Sequence, residues 1–589
     1  MADEQSSISD RSYHDRLNPD LLKIIPLDAK VVLEIGCGAG RLAEAYRRIN
    51  PSVCWFGVES SPEAALQAMD RGRCNWVDNT SLEECDFDDE RFPEDPFDVC
   101  VIGDVLEHLA DPWEQLKRLV CLATPGCQVL ASIPNIGHWS IIRDLIEGHW
   151  TYADEGLLDK THLRFFALES IKAMFADAGL HVFEIRGRTI FNEGFEEWSK
   201  KTLLRTPSAQ MKAYQYIVRA IKLSGKCYAI GNIFGECIDR PVDLPKKLHV
   251  HAITAEECCA RPRIREPFAA LSTIPGVTCT IGPNVSIAKP PQIVIQQRAR
   301  AIDFVAQKAL IDLGCILVAE IDDFPGPPGG VFYEGFSPPS LRCVHAIQAS
   351  TEPLAEELRK YNPNVAVFEN QLAELPPLVE LPKSTNDSII IFYGAQNRGD
   401  DWKPIMPALN RVLADHPNIW MDVIHDQEFF EALETDRKKF APFQPYGDYL
   451  EYLRVADIAL LPLEPSRFNL HKSDIKFLEC AANGVFVLAS ETIYGDLLRQ
   501  EWIPGVGYLS LGQPYDCVEM FESMLRIFLK KPKMRQDRIE RAYAYVRDYR
   551  MLRQHYRKRY DWYQSLLADR ERLHAELLER VPELKGATP

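Results

Sequence analysis

No apolar run in the 589 residues approaches the ~20 needed to span a bilayer. The opening stretch, Met-Ala-Asp-Glu-Gln-Ser-Ser, is polar and acidic, so it does not read as a secretory signal. The 16 cysteines form no paired Cys-x-x-Cys array, and several fall in apparent strands (Cys37, Cys54, Cys100, Cys315). Neither a disulfide framework nor a zinc site is expected, and no metal is assigned. Basic residues are in deficit, 67 against 85 acids, and the net charge of −18 argues against nucleic-acid binding. Internal repeats and long low-complexity tracts are lacking. These absences fit a reducing cytoplasm. At this length one core is too few, and two to four domains are expected.

The most informative stretch present is Val31-Val32-Leu33-Glu34-Ile35-Gly36-Cys37-Gly38-Ala39-Gly40-Arg41. Its apolar run reads as a buried parallel strand ending in an acid. Three glycines at alternate positions then allow a sharp turn and close approach to a ligand. Residues 41 to 49 read as a helix whose N-terminus faces the same ligand. A second strand ends at Glu59-Ser60, where a carboxylate can accept hydrogen bonds from a ribose diol. A third ends at Asp78, and a fourth runs through Phe97-Asp98-Val99-Cys100-Val101-Ile102-Gly103-Asp104 into Val105-Leu106-Glu107-His108. Asp111-Pro112 starts a helix, and a fifth strand ends at Ile133-Pro134-Asn135. Strands alternating with helices, with ligand-type residues at strand ends, describe an open α/β sheet.

With Gly156-Leu157-Leu158-Asp159-Lys160-Thr161-His162-Leu163-Arg164-Phe165-Phe166, these pieces make residues 12 to 188 resemble the class I S-adenosylmethionine-dependent methyltransferases, above all those related to ubiquinone-type O-methyltransferases. The resemblance implies S-adenosylmethionine as cofactor. Its contacts would be Glu34, Gly36, Cys37, Gly38, Gly40, Glu59, Ser60, Asp78, Asp104 and Val105. Gly36, Gly38 and Gly40 would pass under the methionine part, Glu59 would take the ribose hydroxyls, and Asp78 would lie near the adenine. Methyl transfer needs mainly alignment, and an alcohol acceptor gains from a general base. His162 is the better candidate base, with His108 second and Asp159 three residues before His162. An imidazole suits the role because it titrates near neutrality. His108 serves equally well as a cap or a backbone partner. Trp139, Trp150, Tyr152, Phe165 and Phe166 either wall the acceptor pocket or belong to the core. Tyr13 and Arg16 are weaker candidates for folding over the cofactor.

Beyond residue 188 the pattern changes. Residues 195 to 223 read as helical, and Arg240-Pro241-Val242-Asp243-Leu244-Pro245 reads as a linker. Two further strand series follow, from Leu248-His249-Val250-His251 to Val365-Ala366-Val367-Phe368, and from Ile389-Ile390-Ile391-Phe392-Tyr393-Gly394 to Val485-Phe486-Val487-Leu488-Ala489-Ser490. A cleft between two such domains is a natural ligand site. In the second series Lys472, Lys476 and Glu479 fall at spacings of four and three, as on one helix face. Two lysines near a helix start can neutralise a diphosphate, and Glu479 can accept ribose hydroxyls. A surface ion pair of Lys476 with Glu479 or Asp474 is the plainer alternative.

Residues 246 to 530 resemble a GT-B glycosyltransferase of the broad family four kind. The resemblance implies a nucleotide-diphosphate sugar as co-substrate, with Gly394, Arg398 and Lys403 near its phosphates beside Lys472, Lys476 and Glu479. His471 stands where that family often has a glutamate, and Gly484-Val485-Phe486 replaces its usual Gly-x-Pro. Asp322-Asp323 reads as a cleft-lining loop rather than a metal site. Arg298 and Arg300 are either ligand contacts or ordinary surface charges.

Tyr545, Tyr549, Leu552, Tyr556, Tyr560, Tyr563 and Leu567 recur as a helix stripe, and Lys530 to Arg559 holds twelve Lys or Arg against three acids. The favoured reading is a helix crossing back to the first half of the pair with tyrosines on the packed face. The second reading is peripheral contact of this basic helix with anionic lipid. The expected fold is α/β throughout, and the expected divisions are five: 1–190, a Rossmann-like methyltransferase domain; 191–245, a helical connector; 246–385 and 386–530, the two halves of a GT-B pair; and 531–589, C-terminal helices. The expected function is a cytoplasmic bifunctional enzyme, an O-methyltransferase joined to a glycosyltransferase acting on a glycan or glycolipid acceptor in glycan, surface-polysaccharide or glycoconjugate biosynthesis. The alternative is a methyltransferase whose GT-B part only binds a glycan or nucleotide.

Overall fold

Parallel strands buried on both faces dominate the molecule. The computed structural model describes residues 15–87, 89–92, 97–190, 192–202, 209–224, 246–254, 257–298, 304–324, 341–378, 388–394, 399–499, 502–503, 507–508 and 511–585. Two compact units are present: Met1–Lys247 with the short segment Ser272–Gly276, and Leu248–Leu271 with Val277–Pro589.

The first unit is built on one seven-stranded sheet: β1 (Val31–Ile35), β2 (Cys54–Val58), β3 (Trp76–Asp78), β4 (Phe97–Gly103), β5 (Ala123–Pro134), β6 (His181–Thr189) and β7 (Ala213–Ile221). The order is β3-β2-β1-β4-β5-β7-β6. Strands β1 to β5 are parallel, and β7 runs antiparallel between β5 and β6. The strand order reverses between β1 and β4, and open α/β sheets bind ligands outside the carboxyl ends at such a point. The helix Pro112–Leu122 starts as expected, with Asp111 accepting the Glu114 amide at 3.1 Å.

Strand β7 corrects the expected connector at 191–245. Helix is present at Phe195–Lys201 and Ala209–Lys212, but Ala213–Ile221 is a central strand of the first sheet. Its two faces are both covered, so Val218, Ala220, Ile217 and Ile221 are all buried and no two-residue alternation marks it. The proposed linker at 240–245 lies outside the described residues.

The second unit has two lobes, each with a six-stranded, all-parallel sheet. The first lobe holds β8 (Leu248–Ile253), β9 (Val277–Ile281), β10 (Ile293–Gln297), β11 (Ile316–Ile321), β12 (Ala346–Ala349) and β13 (Val365–Val367), ordered β13-β12-β11-β10-β8-β9. The second lobe holds β14 (Ile389–Gly394), β15 (Ile419–Ile424), β16 (Lys438–Ala441), β17 (Ile458–Leu461), β18 (Phe486–Ser490) and β19 (Gln513–Tyr515), ordered β16-β15-β14-β17-β18-β19. The order reverses at β8/β10 in one sheet and at β14/β17 in the other.

The tyrosine stripe is not one helix. Helix Pro532–Tyr549 stops, and Met551 instead pairs with Leu372: Leu372 N–H donates to the Arg550 carbonyl at 3.0 Å and Leu552 N–H to the Leu372 carbonyl at 2.8 Å. Helices Tyr556–Ala568 and Arg570–Arg580 follow. Tyr556 and Tyr563 are buried, and Tyr563 Oη donates to Gln348 Oε1 on β12 at 3.0 Å. Leu577 and Val581 join the first-lobe core with Leu317 and Ile347. The chain therefore returns to the first lobe with Tyr556 and Tyr563 on the packed face, whereas Tyr549, before the break, is exposed. Several of its cations are spent internally: Arg538 donates to the Gly512 carbonyl at 2.9 Å, and Arg559 is buried 3.9 Å from Glu320. Among the described residues, no helix is long and apolar enough to cross a membrane.

Candidate functional sites

In the first unit the glycine loop leaves β1 at the switch point. Gly36, Gly38 and Gly40 all have positive φ (70°, 52° and 75°). A Cβ at Gly36 would lie 2.5 Å from Val105 Cγ2, so no side chain fits there. Gly40 leads into helix Arg41–Ile49. Glu59, buried at the carboxyl end of β2, accepts the Gly38 amide at 2.8 Å through Oε2 and the Ser61 amide at 2.8 Å through Oε1. It thus ties the glycine loop to the next strand. Ser60 is exposed beside it. Asp78 closes β3 and accepts the Glu59 amide through its carbonyl at 3.0 Å. Glu34 and Cys37 face inward. Trp55 Nε1 donates to Glu34 Oε2 at 2.9 Å, and burial holds the Glu34 carboxyl well above the usual range. Arg16 is exposed, 3.8 Å from Glu155, and Tyr13 lies outside the described residues.

The second cluster stands at the end of β4. Asp104 has φ 54°, a strained value for a non-glycine residue. Its carboxylate accepts Gln215 Nε2 from β7, and burial raises it to about 6 against the opposing hydrogen bonds from Ser132 and Gln215. Val105 and the turn Leu106–His108 follow. The Glu107 carbonyl accepts the amides of Leu163 and Arg164 at 2.8 and 2.9 Å, which carries His162 to His108. The two imidazoles meet edge to face, centroids 4.8 Å apart. Nδ1–H of His108 donates to the Thr161 carbonyl at 3.3 Å, and Nδ1–H of His162 to the Leu157 carbonyl at 3.2 Å. With Nδ1 so used, the lone pair of each neutral ring is on Nε2. Burial and the neighbouring His162 push His108 below its usual value, so it is neutral at pH 7. Burial raises Asp159, but the Thr161 hydroxyl and amide (2.6 and 2.8 Å) and the two imidazoles bring it below the usual range.

Glu107 completes this cluster and was not singled out from the sequence. It is 1% exposed, and neither carboxyl oxygen has a hydrogen-bond partner among the described residues. Burial, with the charge of Asp104 added, holds it well above the usual range. A Glu107 oxygen and one ring nitrogen from each of His108 and His162 lie within 4.8 Å of one another, a set able to share a proton or hold a cation. The only sequence signal was an acid next to a histidine, and burial is what distinguishes it. Of the aromatics, Trp139 and Phe166 are core, whereas Trp150 and Tyr152 are exposed. Trp150 packs on Phe165 at 5.6 Å, and Phe165 on His162 at 6.3 Å.

In the second unit the suggested phosphate-binding residues do not share a helix face. Helix Ile475–Ala482 begins after Lys472, which is extended (φ −69°, ψ 153°) at the end of the turn Asn469–His471. Lys472 Nζ lies 3.7 Å from Asp323 of the first lobe and 4.0 Å above the Phe468 ring. Lys476 pairs with Glu479 at 3.2 Å, the partner named in the plainer reading, but the pair is not a surface one because Glu479 is buried. Glu479 is buried and accepts Tyr449 Oη at 3.1 Å, and Lys476 Nζ lies 4.2 Å over the Tyr449 ring. Arg261, from the first lobe, stacks 3.6 Å over Tyr446 and bonds Glu266 at 2.7 Å.

The acid pair Asp322 and Asp323 is gripped by Arg298 at 2.8–3.0 Å. Both acids are thus paired with cations, Arg298 and, for Asp323, Lys472 at 3.7 Å. His471 stacks on Phe324 at 4.5 Å. Gly394 ends β14, where a Cβ would meet Phe392 at 2.6 Å. Lys403 is exposed and pairs with Asp400 at 2.6 Å. Arg398 and Arg300 lie outside the described residues.

Residues 10–185 match the methyltransferase domain family, and the N-terminal unit carries a methyltransferase domain. Over 189 residues the chain is 28% identical to the ubiquinone biosynthesis O-methyltransferase of Cereibacter sphaeroides, spanning 31% of this chain and 72% of that protein. It is also similar to a solved glycosyltransferase from Rickettsia africae (13% identity, 55% of this chain, 99% of that one, TM-score 0.41). A further similarity is to Anabaena HepE in complex with UDP and glucose (12% identity, 54% and 99%, TM-score 0.37).

Proposed function

We propose that the chain is a bifunctional transferase, which methylates a hydroxyl with S-adenosylmethionine and transfers a sugar from a nucleotide-diphosphate donor. The methyltransferase match supports the first half of this reading. The residues suit the cofactor: three positive-φ glycines let the loop turn tightly at the end of β1, and Glu59 sits at the strand end where a ribose diol is taken. Bound there, the cofactor supplies an activated methyl group. The chain's own residues do the rest. Glu59 orients, the Glu107 backbone holds the 157–164 segment in place, and His162 Nε2 takes the acceptor's hydroxyl proton as the oxygen attacks.

The second unit is read as the sugar-transfer module, with Lys472 and Lys476 at the donor's phosphates. The observation that carries the joint reading is the placement of each polar cluster. Glu59, Asp104 and Glu107 in one unit, and Lys472 and Lys476 in the other, stand at the carboxyl side of parallel sheets whose strand order reverses. A shared product, a methylated glycan or glycoconjugate, would explain two such activities in one chain. The alternative, a GT-B part that binds without catalysis, is separated by assaying donor hydrolysis and transfer in the intact protein and in Lys472→Ala and Glu479→Gln. Turnover that is absent, and indifferent to both changes, favours the alternative. Peripheral membrane contact has less support, since cations of the basic segment bond within the fold.

A further inference from the structure

We propose that Arg550, in the return crossing between the two lobes, is a positioning residue of the nucleotide-sugar site, holding the Asp474 carboxylate away from the donor's phosphates. This rests on the donor reading of Lys472 and Lys476. Arg550 is 8% exposed and grips Asp474 with two bonds, Nη1 to Oδ2 at 2.6 Å and Nη2 to Oδ1 at 2.9 Å. Its Nη2 also donates to the Asn370 carbonyl at 3.0 Å and Nη1 to Tyr545 Oη at 3.1 Å. Asn370 Nδ2 in turn donates to Ser473 Oγ at 2.7 Å. The segment that leaves the first lobe and the segment that returns to it therefore both hold the Ser473–Asp474 turn. Pairing of Leu372 with Met551 fixes the two segments to each other.

Asp474 occupies the N-cap position of helix Ile475–Ala482, yet its side chain caps no amide of that helix. An aspartate at this position ordinarily turns back onto the first helical amides. Here both oxygens are committed to Arg550. The local charge follows. Two lysines flank the turn, at 472 and 476, and a carboxylate released between them would neutralise one and repel a diphosphate. Bidentate pairing with a guanidinium keeps that charge fixed and compensated.

The test is a double-mutant cycle on the full-length chain, read by calorimetric titration with UDP and GDP, with melting curves to establish folding. Arg550→Gln is expected to weaken nucleotide binding tenfold or more, and Asp474→Asn to stay within about threefold of wild type. The double variant is expected to recover to within about threefold of Asp474→Asn, because the harmful charge is gone. Arg550→Lys keeps the cation and is expected to lose less than about threefold, which preserves the test if the Gln variant fails to fold. A double variant as weak as Arg550→Gln, an Arg550→Gln protein that binds as wild type, or a tenfold loss in Arg550→Lys would overturn the proposal. The donor reading has its own arm. A wild-type chain that binds neither nucleotide refutes it, and this proposal with it, whereas normal binding without rescue refutes this proposal alone.

Discussion

The polar clusters of the two units differ in how their charges are balanced. In the methyltransferase unit Glu107 is buried, its carboxyl oxygens have no hydrogen-bond partner among the described residues, and it lies beside two imidazoles. In the second unit the cations of the proposed donor site already have acids: Lys472 has Asp323, Lys476 has Glu479, and Arg298 has Asp322 and Asp323. The first cluster holds a buried carboxyl whose oxygens lack a hydrogen-bond partner among the described residues, so a ligand group that bonds it gains directly. The second is self-neutralised, so a phosphate ligand must displace carboxylates, and its net gain is smaller.

Four substitutions break or sharpen this contrast. His162→Ala removes the proposed base and is expected to lower methyl transfer to a sugar acceptor by ~10²–10⁴, read as turnover at saturating cofactor. Unchanged turnover would remove His162 from the chemistry. Glu59→Ala loses two amide bonds and the proposed ribose partner, and is expected to weaken S-adenosylmethionine binding by about a hundredfold in calorimetry, with nucleotide binding unaffected. Lys472→Ala is expected to weaken UDP or GDP binding by about tenfold, and Asp323→Asn to tighten it slightly, because Lys472 is then released.

The smallest effect concerns Asp104. Its folded-state value of about 6 lies above the ordinary 3.8, so the folded chain holds this proton more tightly than the unfolded one. The stabilisation is complete below pH 3.8 and is lost as pH rises through 6. Asp104→Asn is therefore expected to raise the melting temperature at pH 8 by about 2–4 °C per kcal/mol recovered, with the gain vanishing below pH 4. A gain that is equal at both pH values would contradict the assignment.

Much of the first sheet was legible because its strands end in chemistry. Apolar runs closing on Glu59, Asp78 and Asp104 locate the carboxyl edge without any tertiary information. Strand β7 was not legible. Residues 213–221 are buried on both faces and bond on both edges, so their apolar positions follow no two-residue period, and the segment reads as helix. The tyrosine stripe kept its spacing across the break at Arg550–Met551 although its members fare differently: Leu552, Tyr556 and Tyr563 pack inward, whereas Tyr549 is exposed. Lys472, Lys476 and Glu479 had helical spacing, but the helix starts only at Ile475, so spacing alone grouped residues that take different partners. Asp323 with Lys472 and Arg550 with Asp474 join segments 149 and 76 positions apart, and pairings of that range leave no local signal.

The most direct test is calorimetric titration of the intact chain with S-adenosylmethionine and with a nucleoside diphosphate, separately and then in sequence. Two sites in one polypeptide require about one equivalent of each ligand, neither displacing the other. Glu59→Ala should abolish only the first and Lys472→Ala weaken only the second. Competition between the ligands, or a chain that takes S-adenosylmethionine and no nucleotide at all, would contradict it.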